Sequence, residues 1–155
     1  MTYRILGLDP QPFAHLYGLT DPALAALGAH RMIADSKPGF PDRVELRDAE
    51  PGESVLMVNF EHQPAQSPYR ASHAIFVIEG AKIPFNRVGE IPSVMATRVL
   101  SLRAFDADGM MTDAGLASGA EVEPLIERLL AAPETAYIQA HNATRGCYAA
   151  RIERA

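Results

Sequence analysis

The sequence predicts an α+β fold, in which an antiparallel or mixed sheet of about six or seven strands carries one main amphipathic helix on one face. Two observations lead to this prediction. Many short segments are apolar or alternate apolar with polar side chains, and turn-forming residues separate them, which is typical of strands joined by hairpins. Only one longer segment, 121–131, has its apolar side chains at clear helical spacing.

The N-terminal part of the chain predicts two strands and a short helix. Residues 2–9 begin with alternating apolar side chains and end at a proline, and 30–34 has the length of a brief strand. Between them, Asp21 precedes a proline in the manner of a helix start, and Gly28 is placed to end that helix. The first strand is therefore followed by a helical connection.

The middle of the chain predicts the centre of the sheet. The segments 54–60 and 73–78 are nearly continuous apolar sequence, which indicates strands covered on both faces. A polar loop is expected between them at 61–70. Before them, 35–42 is rich in turn-forming residues, and 43–47 alternates charged with apolar side chains as a half-exposed strand does.

The C-terminal half predicts a further hairpin and the main helix. Residues 82–93 contain two prolines and are expected to cross irregularly. Residues 96–105 alternate cleanly, and the turn at 106–109 leads back into a second strand at 110–113. The helix at 121–131 presents one apolar stripe, formed by Val122, Leu125, Ile126, Leu129 and Leu130.

The chain closes with a second predicted hairpin at 134–153, which contains the single cysteine. A register that pairs Ala140 with Tyr148 and Ile138 with Ala150 places the apolar side chains of both strands on one face. This register sets His141 directly opposite Cys147, with Cβ atoms about 4.5 to 5.5 Å apart.

Composition limits the classes of function. The 155 residues fit a single domain, 1–155, and one cysteine cannot form an internal disulfide. With no leader-like N-terminus and no apolar run near 18 residues, we expect a cytoplasmic protein. The net charge of −5 and the lack of clustered Lys and Arg argue against nucleic-acid and membrane partners.

Three blocks of the sequence resemble a family of bacterial proteins without an assigned activity, domain of unknown function 1203. The blocks are PGFPDRVELRDAEPGE, SPYRASHAIFV and YIQAHNATRGCYAARIER, and the resemblance extends from about Ala34 onward. Members of that family often carry cysteine at one or both of the positions held here by Asp42 and Glu45. The resemblance therefore implies no reaction, and a dithiol, zinc or redox centre around Cys147 would lack those two thiolates here.

One candidate chemistry is a cysteine-dependent enzyme. In the predicted hairpin His141 would accept the thiol proton of Cys147, and Arg145 or Arg151 would hold an anionic substrate or favour the thiolate. The alternative is that Cys147 is a small buried hydrophobe and His141 caps a strand end, since no orienting group or oxyanion donor is evident.

The first-ranked candidate is a pocket for a small anionic metabolite, because guanidinium groups near strand ends recognise carboxylates and phosphates. Its candidate residues are Arg70, His73, Arg103, Arg145, Arg151 and Tyr148. The alternative is that these arginines pair with acidic side chains on the surface. A third candidate is a homodimeric interaction protein, since a sheet must cover or pair its edges.

A metal site was the remaining alternative. It would draw on His62, His73, His141, Glu61 or Asp42, but no metal-binding spacing joins these residues. The sequence therefore predicts neither a metal nor a cofactor.

Overall fold

The computed structural model describes residues 2–155, and in this part of the chain nine strands form two antiparallel sheets accompanied by four short helices. The strands are β1 Tyr3–Leu6, β2 His30–Ile33, β3 Ser54–Gln63, β4 Ala71–Ile78, β5 Asn86–Val88, β6 Val99–Phe105, β7 Met111–Ser118, β8 Tyr137–Asn142 and β9 Tyr148–Arg154. The helices are α1 Gln11–Ala14, α2 Asp21–Ala26, α3 Ser93–Ala96 and α4 Glu123–Ala131. This content agrees with the α+β class in its coarse form.

The finer prediction, one sheet with one main helix, is corrected. The strands are divided between a six-stranded sheet of order β5-β1-β9-β8-β6-β7 and a three-stranded sheet of order β2-β3-β4. Each sheet has its own cluster of buried apolar side chains. Periodicity along single strands indicates that a face is buried, but it does not indicate against which sheet, and this is why two sheets were read as one.

The six-stranded sheet buries one face beneath α4. The side chains of Leu100, Leu102 and Ala104 point to this face, as the alternation along β6 predicted, and all three are fully buried. They meet Ile126 and Leu129 of the helix in the same cluster. The helix begins at Glu123 with Pro124 in its first turn, where the missing N–H of proline breaks no hydrogen bond, and a single 3-10 turn at Gly119–Glu121 precedes it.

The three-stranded sheet packs against the N-terminal helices. Val55, Leu56 and Val77 are fully buried in its cluster, together with Phe13 and Leu24 from α1 and α2. The predicted strand at 54–60 continues to residue 63, so the polar loop expected at 61–70 begins three residues later. The last residues of β3 are polar and still belong to the strand. Their side chains form hydrogen bonds to residues of the other sheet.

The segment 43–47 is not a strand, contrary to the prediction. Only two isolated bridges occur nearby, Pro41 with Asp48 and Asp42 with Phe76. Asp42 is fully buried and its carboxylate accepts N–H groups of Val44, Glu45 and Ile78, which bends the backbone into a turn. Val44 and Leu46 are both buried, so the alternation of charge did not indicate an exposed face.

The C-terminal hairpin forms, but its predicted register is wrong. Ala140 pairs with Ala150 and Ile138 with Ile152, two residues away from the prediction. A bulge follows, in which Ala149 is the extra residue and His141 pairs with Tyr148. His141 is therefore not opposite Cys147. The Asn142 N–H donates to the carbonyl of Cys147 over 2.9 Å, so it is Asn142 that faces Cys147 at the end of the hairpin.

Candidate functional site

A cavity of about 670 Å³ opens where the two sheets approach each other. Its walls come from the 39–43 loop, from β4, from residues 97–99 and from the β8–β9 connection. The apolar part includes Phe40 and Phe76, whose ring centroids lie 5.3 Å apart. Three arginines and one histidine line the cavity, and no Asp or Glu does: Arg43, Arg98, Arg145 and His73. The lining of the cavity therefore combines cationic with apolar side chains.

Arg43 is held in the cavity wall by its backbone. Its N–H donates to the carbonyl of Phe76 over 3.2 Å, and its carbonyl accepts the N–H of Leu8 over 2.7 Å. Asp42, the residue before Arg43, is also held in place, because its buried carboxylate accepts backbone N–H groups. Burial raises the pKa of Asp42, and the backbone N–H donors act in the opposite direction. These contacts fix the backbone from which the Arg43 side chain extends.

The guanidinium of Arg43 is buried without an acidic partner. Arg43 is 2% exposed, and no Asp or Glu oxygen within residues 2–155 lies within the 4.0 Å of an ion pair. Its Nε donates to the carbonyl of Tyr148 over 2.8 Å, and its Nη1 donates to the carbonyl of Pro41. Burial lowers the pKa of Arg43, but a guanidinium keeps its proton in proteins. The positive charge is thus desolvated and makes no ion pair in the described part of the chain, while the charge of the neighbouring buried Asp42 opposes burial by raising the pKa of Arg43.

Cys147 lies beside this charge. Nη2 of Arg43 is 3.1 Å from Sγ, and Nδ2 of Asn142 is 3.4 Å from Sγ. Cys147 is 7% exposed, and all three residues line the cavity. The sulfur therefore accepts two hydrogen bonds from the cavity wall, one of them from a cation.

The other cavity cations differ in how far they are paired. Arg98 makes a two-pronged contact with Asp48, with Nη2 to Oδ1 at 2.6 Å and Nη1 to Oδ2 at 3.1 Å. Burial is the largest single influence on Asp48 and raises its pKa, but the hydrogen bonds and charge of Arg98, together with the N–H of Gly39 and the charge of Lys37, lower the pKa of Asp48 overall. Arg145 is exposed and makes no hydrogen bond or ion pair in the part of the chain that the structure describes. Its charge is free to meet a ligand.

Comparison with family models gives one match. The model described as protein of unknown function (DUF1203) matches residues 39–154. The chain belongs to the DUF1203 family. No curated protein and no solved structure matches it significantly. The matched range contains the cavity residues from Gly39 to Cys147, so the cavity is built mainly from the DUF1203 region.

The structure separates the predicted site residues of this DUF1203 protein into two groups. His73, Arg145 and Cys147 line the cavity. The remaining four ligand-binding candidates do not: Arg70 pairs with Glu61 on the surface, Arg103 reaches only Ser101, Arg151 stacks on Tyr137 and pairs with Glu153, and Tyr148 is buried between aromatic rings.

His141 lies on the opposite face of the hairpin from Cys147. Its Nδ1 is 2.9 Å from the carbonyl of Gly146, and its Nε2 is 3.2 Å from Oε1 of Gln139. No hydrogen bond joins it to Cys147 within residues 2–155. The predicted Cys–His pair is wrong, because the bulge turns His141 and Tyr148 to one face while Asn142 and Cys147 share the other.

His141 instead belongs to a polar cluster that joins the two sheets. Gln139 donates from Nε2 to the carbonyl of His62 over 2.7 Å, and its Oε1 lies 2.9 Å from Nδ1 of His62. This bond identifies Oε1 as the atom facing both imidazoles, so a neutral His62 carries its proton on Nδ1. Burial lowers the pKa of His141 to about 3 and also lowers that of His62. These histidines tie the sheets together.

Sequence reasoning missed Arg43, Arg98 and Asn142. Arg43 and Arg98 were placed in predicted strands and Asn142 in the predicted C-terminal hairpin, with no role at a site. Arg43 and Arg98 reach Cys147 and Asp48, which are far away in the chain, and Asn142 reaches Cys147 across the hairpin connection. The sequence contained no signal for the burial of Arg43, because its alternation with apolar neighbours is typical of a half-exposed strand.

No group of three or more His, Cys, Asp or Glu within residues 2–155 is arranged to hold a metal ion. Among the helices of the same residues, none has the length and apolar character needed to span a membrane.

Proposed function

We propose that this protein binds a small anionic molecule in the cavity beside Arg43. The observation that carries the proposal is the buried guanidinium of Arg43, which lines the cavity and has no carboxylate partner within residues 2–155. Burying an unpaired charge costs several kcal/mol. An anion in the cavity would recover part of that cost, so the site favours ligands of negative charge.

The remaining lining supports a ligand with two parts. Arg145 at the rim offers a second cation, while Phe40, Ile75 and Phe76 offer apolar surface. Arginine binds carboxylates and phosphates through paired N–H donors. The cavity volume of about 670 Å³ falls within the range typical of sites for small organic ligands. The expected ligand is a carboxylate or phosphate attached to an apolar body.

Asn142 adds a preference for a hydrogen-bond donor. Its Nδ2 donates to Cys147, and its Oδ1 is buried without a partner in the structure. A buried acceptor left unpaired costs about 1 to 3 kcal/mol. A hydroxyl or amino group next to the anionic group of the ligand would satisfy Oδ1.

A thermal unfolding series tests the proposal. Benzoate and phenyl phosphate are compared with benzamide, which has the same ring and no charge. A ligand at 100 times its dissociation constant adds about 2.7 kcal/mol to the free energy of unfolding. We expect the midpoint to rise with the anions and not with benzamide, and a stronger response to one anion distinguishes carboxylate from phosphate recognition.

Matched arginine variants connect the response to the cavity. Arg145→Gln removes an exposed cavity cation, whereas Arg70→Gln removes an exposed arginine outside the cavity. The anion response is expected to weaken several-fold in Arg145→Gln and to remain in Arg70→Gln. Equal responses in the two variants, or no response in the unmodified protein, would contradict anion binding in this cavity.

A homodimer is a second proposal, supported by one edge of the six-stranded sheet. Strand β7 lies at that edge, and Leu116 on β7 and Val99 beside it are 70% and 54% exposed. An uncovered edge strand with apolar side chains pairs readily with an identical strand. Sedimentation equilibrium should give twice the chain mass, and Leu116→Lys should shift the protein toward the monomer. A monomer at all concentrations would contradict this proposal.

A cytoplasmic location also stands as a proposal. Its support is the single free cysteine, because proteins of oxidising compartments commonly pair their thiols. Fractionation of expressing cells tests it, and recovery from the secreted fraction would contradict it.

A further inference from the structure

We infer that Cys147 is a nucleophile, and that the anion-binding cavity directs small carboxylates with a leaving group on the adjacent carbon onto its sulfur. This inference rests on the proposed anion site. It adds a covalent step to that site, with Arg43 as the group that positions the carboxylate and Sγ as the atom that reacts.

The first support is the position of the sulfur within the site. Sγ lies 3.1 Å from Nη2 of Arg43, and Cys147 lines the same cavity as Arg145. A carboxylate bound to the free N–H groups of Arg43 would have its neighbouring carbon next to Sγ. Proximity of this kind converts an encounter in solution into a reaction within a complex.

The second support is the hydrogen bonding of the sulfur. A cysteine that serves only as a small hydrophobe is surrounded by apolar side chains. Cys147 instead receives one bond from the guanidinium of Arg43 and one from the amide of Asn142. A cationic side chain beside the sulfur, as Arg43 is here, is a feature of cysteines that react.

The third support is the unused capacity of Arg43. A guanidinium has five N–H groups, and the three contacts to Pro41, Tyr148 and Cys147 leave donors for a ligand. With no acidic side chain at the cavity, an incoming carboxylate meets no repulsion from the lining. The charge that binds the ligand thus lies beside the atom that attacks it.

The reaction is a displacement that needs no oxidant or reductant. The Sγ–C bond forms, the bond between that carbon and its leaving group breaks, and the leaving group departs with the electron pair. The thiol proton passes to solvent. The product is a thioether, and the carboxylate remains paired with Arg43.

Alkylation of the folded protein by iodoacetate and by iodoacetamide tests the inference. The two probes share a leaving group and a reactive carbon, and only iodoacetate is an anion. Because Cys147 is the sole cysteine, mass spectrometry of the peptide that contains it gives the rate at one site. The rate ratio of iodoacetate to iodoacetamide is measured in parallel on glutathione. We expect the ratio for the protein to exceed that for glutathione by about tenfold or more.

Two variants separate guidance by the cavity from general exposure of the thiol. Arg43→Gln should reduce the ratio to that of glutathione, provided that circular dichroism shows a folded protein. Should this buried substitution prevent folding, Arg145→Gln on the surface decides, since it should lower the ratio several-fold while Arg70→Gln leaves it unchanged. An excess of benzoate should slow the alkylation of Cys147 by iodoacetate more than an excess of benzamide does.

The measurements distinguish a protein that binds anions without a reactive Cys147 from one that does not bind anions in the cavity. If benzoate stabilises the protein but iodoacetate gains no advantage over iodoacetamide, the nucleophile is refuted and anion binding stands. If Cys147 is alkylated only after denaturation, the sulfur is an inert buried group. If benzoate neither stabilises the protein nor slows iodoacetate, both proposals are refuted.

Discussion

Nη2 of Arg43 donates to Sγ of Cys147 over 3.1 Å, although the two residues are 104 positions apart in the chain. Arg43 enters from the turn between β2 and β3 of the three-stranded sheet, and Cys147 from the last connection of the six-stranded sheet. The contact therefore joins the two halves of the fold at the cavity. Its neighbours help the charge to tolerate burial, since two backbone carbonyls each accept one further N–H of the guanidinium.

We expect Arg43→Met to lower the free energy of unfolding by about 1 to 3 kcal/mol, because the carbonyls of Tyr148 and Pro41 lose their donors. Denaturant unfolding without added anions measures this change. Arg43→Lys, which keeps the charge but reaches fewer acceptors, should give an intermediate loss. A methionine variant that is more stable than the unmodified protein would show that the buried charge is a net cost, as it is in some buried ion pairs.

The second prediction concerns Glu79, which connects elements of the N-terminal half. Its carboxylate accepts from Nε and Nη2 of Arg31, from the hydroxyl of Ser54 and from the N–H of Gly18. The hydrogen bonds from Arg31 lower the pKa of Glu79 to about 2 from 4.5. The folded state therefore binds the proton more weakly than the unfolded chain does.

The contribution of the ionised Glu79 carboxylate to the free energy of unfolding is fully present above pH 4.5 and is lost as the pH falls toward 2. We expect Glu79→Gln to cost about 1 to 2 kcal/mol at neutral pH, allowing for partial exposure of the pair. The difference from the unmodified protein should shrink in acid, as measured by urea unfolding at several pH values. Glu61→Gln, which removes an exposed ion pair with Arg70, is the control and should change little. A difference that is the same at pH 2.5 and pH 7 would contradict this role.

The sequence predicted local elements better than their arrangement. The alternation in β6 and the apolar stripe of α4 each report on one face of one element, and the structure confirms both. The division into two sheets depends on contacts between distant segments, and no local pattern contains that information. The predicted hairpin register was wrong because it assumed regular pairing, whereas the extra residue Ala149 forms a bulge that the alternation of apolar side chains does not indicate.

The candidate site was predicted only in part. Cys147, His73 and Arg145 were proposed for their chemistry, and the cavity contains them. Arg43 escaped because a charged residue between apolar neighbours indicates a surface strand, whereas here a buried Asp42 turns the backbone inward. Burial of a charge is a property of the whole fold, so composition and spacing gave no sign of it.

The third prediction concerns Gly7, which lies against the turn that carries Arg43. A Cβ at this position would be 2.0 Å from the carbonyl oxygen of Val44, a backbone atom that cannot rotate away. Hydrogen bonds from Leu8 to Arg43 and from Phe85 to Val44 hold that backbone in place. We expect Gly7→Ala to cost about 2 to 4 kcal/mol and to weaken anion binding, because the turn must move.

Gly80→Ala is the matched control for Gly7→Ala. Gly80 has a positive φ of 92° but open space around its Cα, so only backbone strain of about 1 to 2 kcal/mol is expected and anion binding should persist. Thermal unfolding with and without benzoate measures both quantities. If Gly7→Ala retains the full benzoate response, the turn is not rigidly coupled to the cavity.

The fourth prediction concerns the acid response of His141. Burial lowers its pKa from 6.5 to about 3, and the nearby charges of Arg103 and His62 act in the same direction, while the bond to Gly146 opposes them. Between pH 6.5 and pH 3 the unfolded chain binds a proton at this position and the folded protein does not. The free energy of unfolding therefore falls as the pH falls, by up to about 1.4 kcal/mol per pH unit from this residue.

Two measurements check the behaviour of His141. Nuclear magnetic resonance of the imidazole should show a neutral ring down to pH 4, while the exposed His15 serves as a reference in the same spectra. His141→Leu should be less stable at pH 7, because the carbonyl of Gly146 loses the single N–H of the neutral ring, and its stability should depend less on pH between 6.5 and 4. A ring that becomes protonated near pH 6 in the folded protein would show that the two acceptors beside its nitrogens outweigh burial.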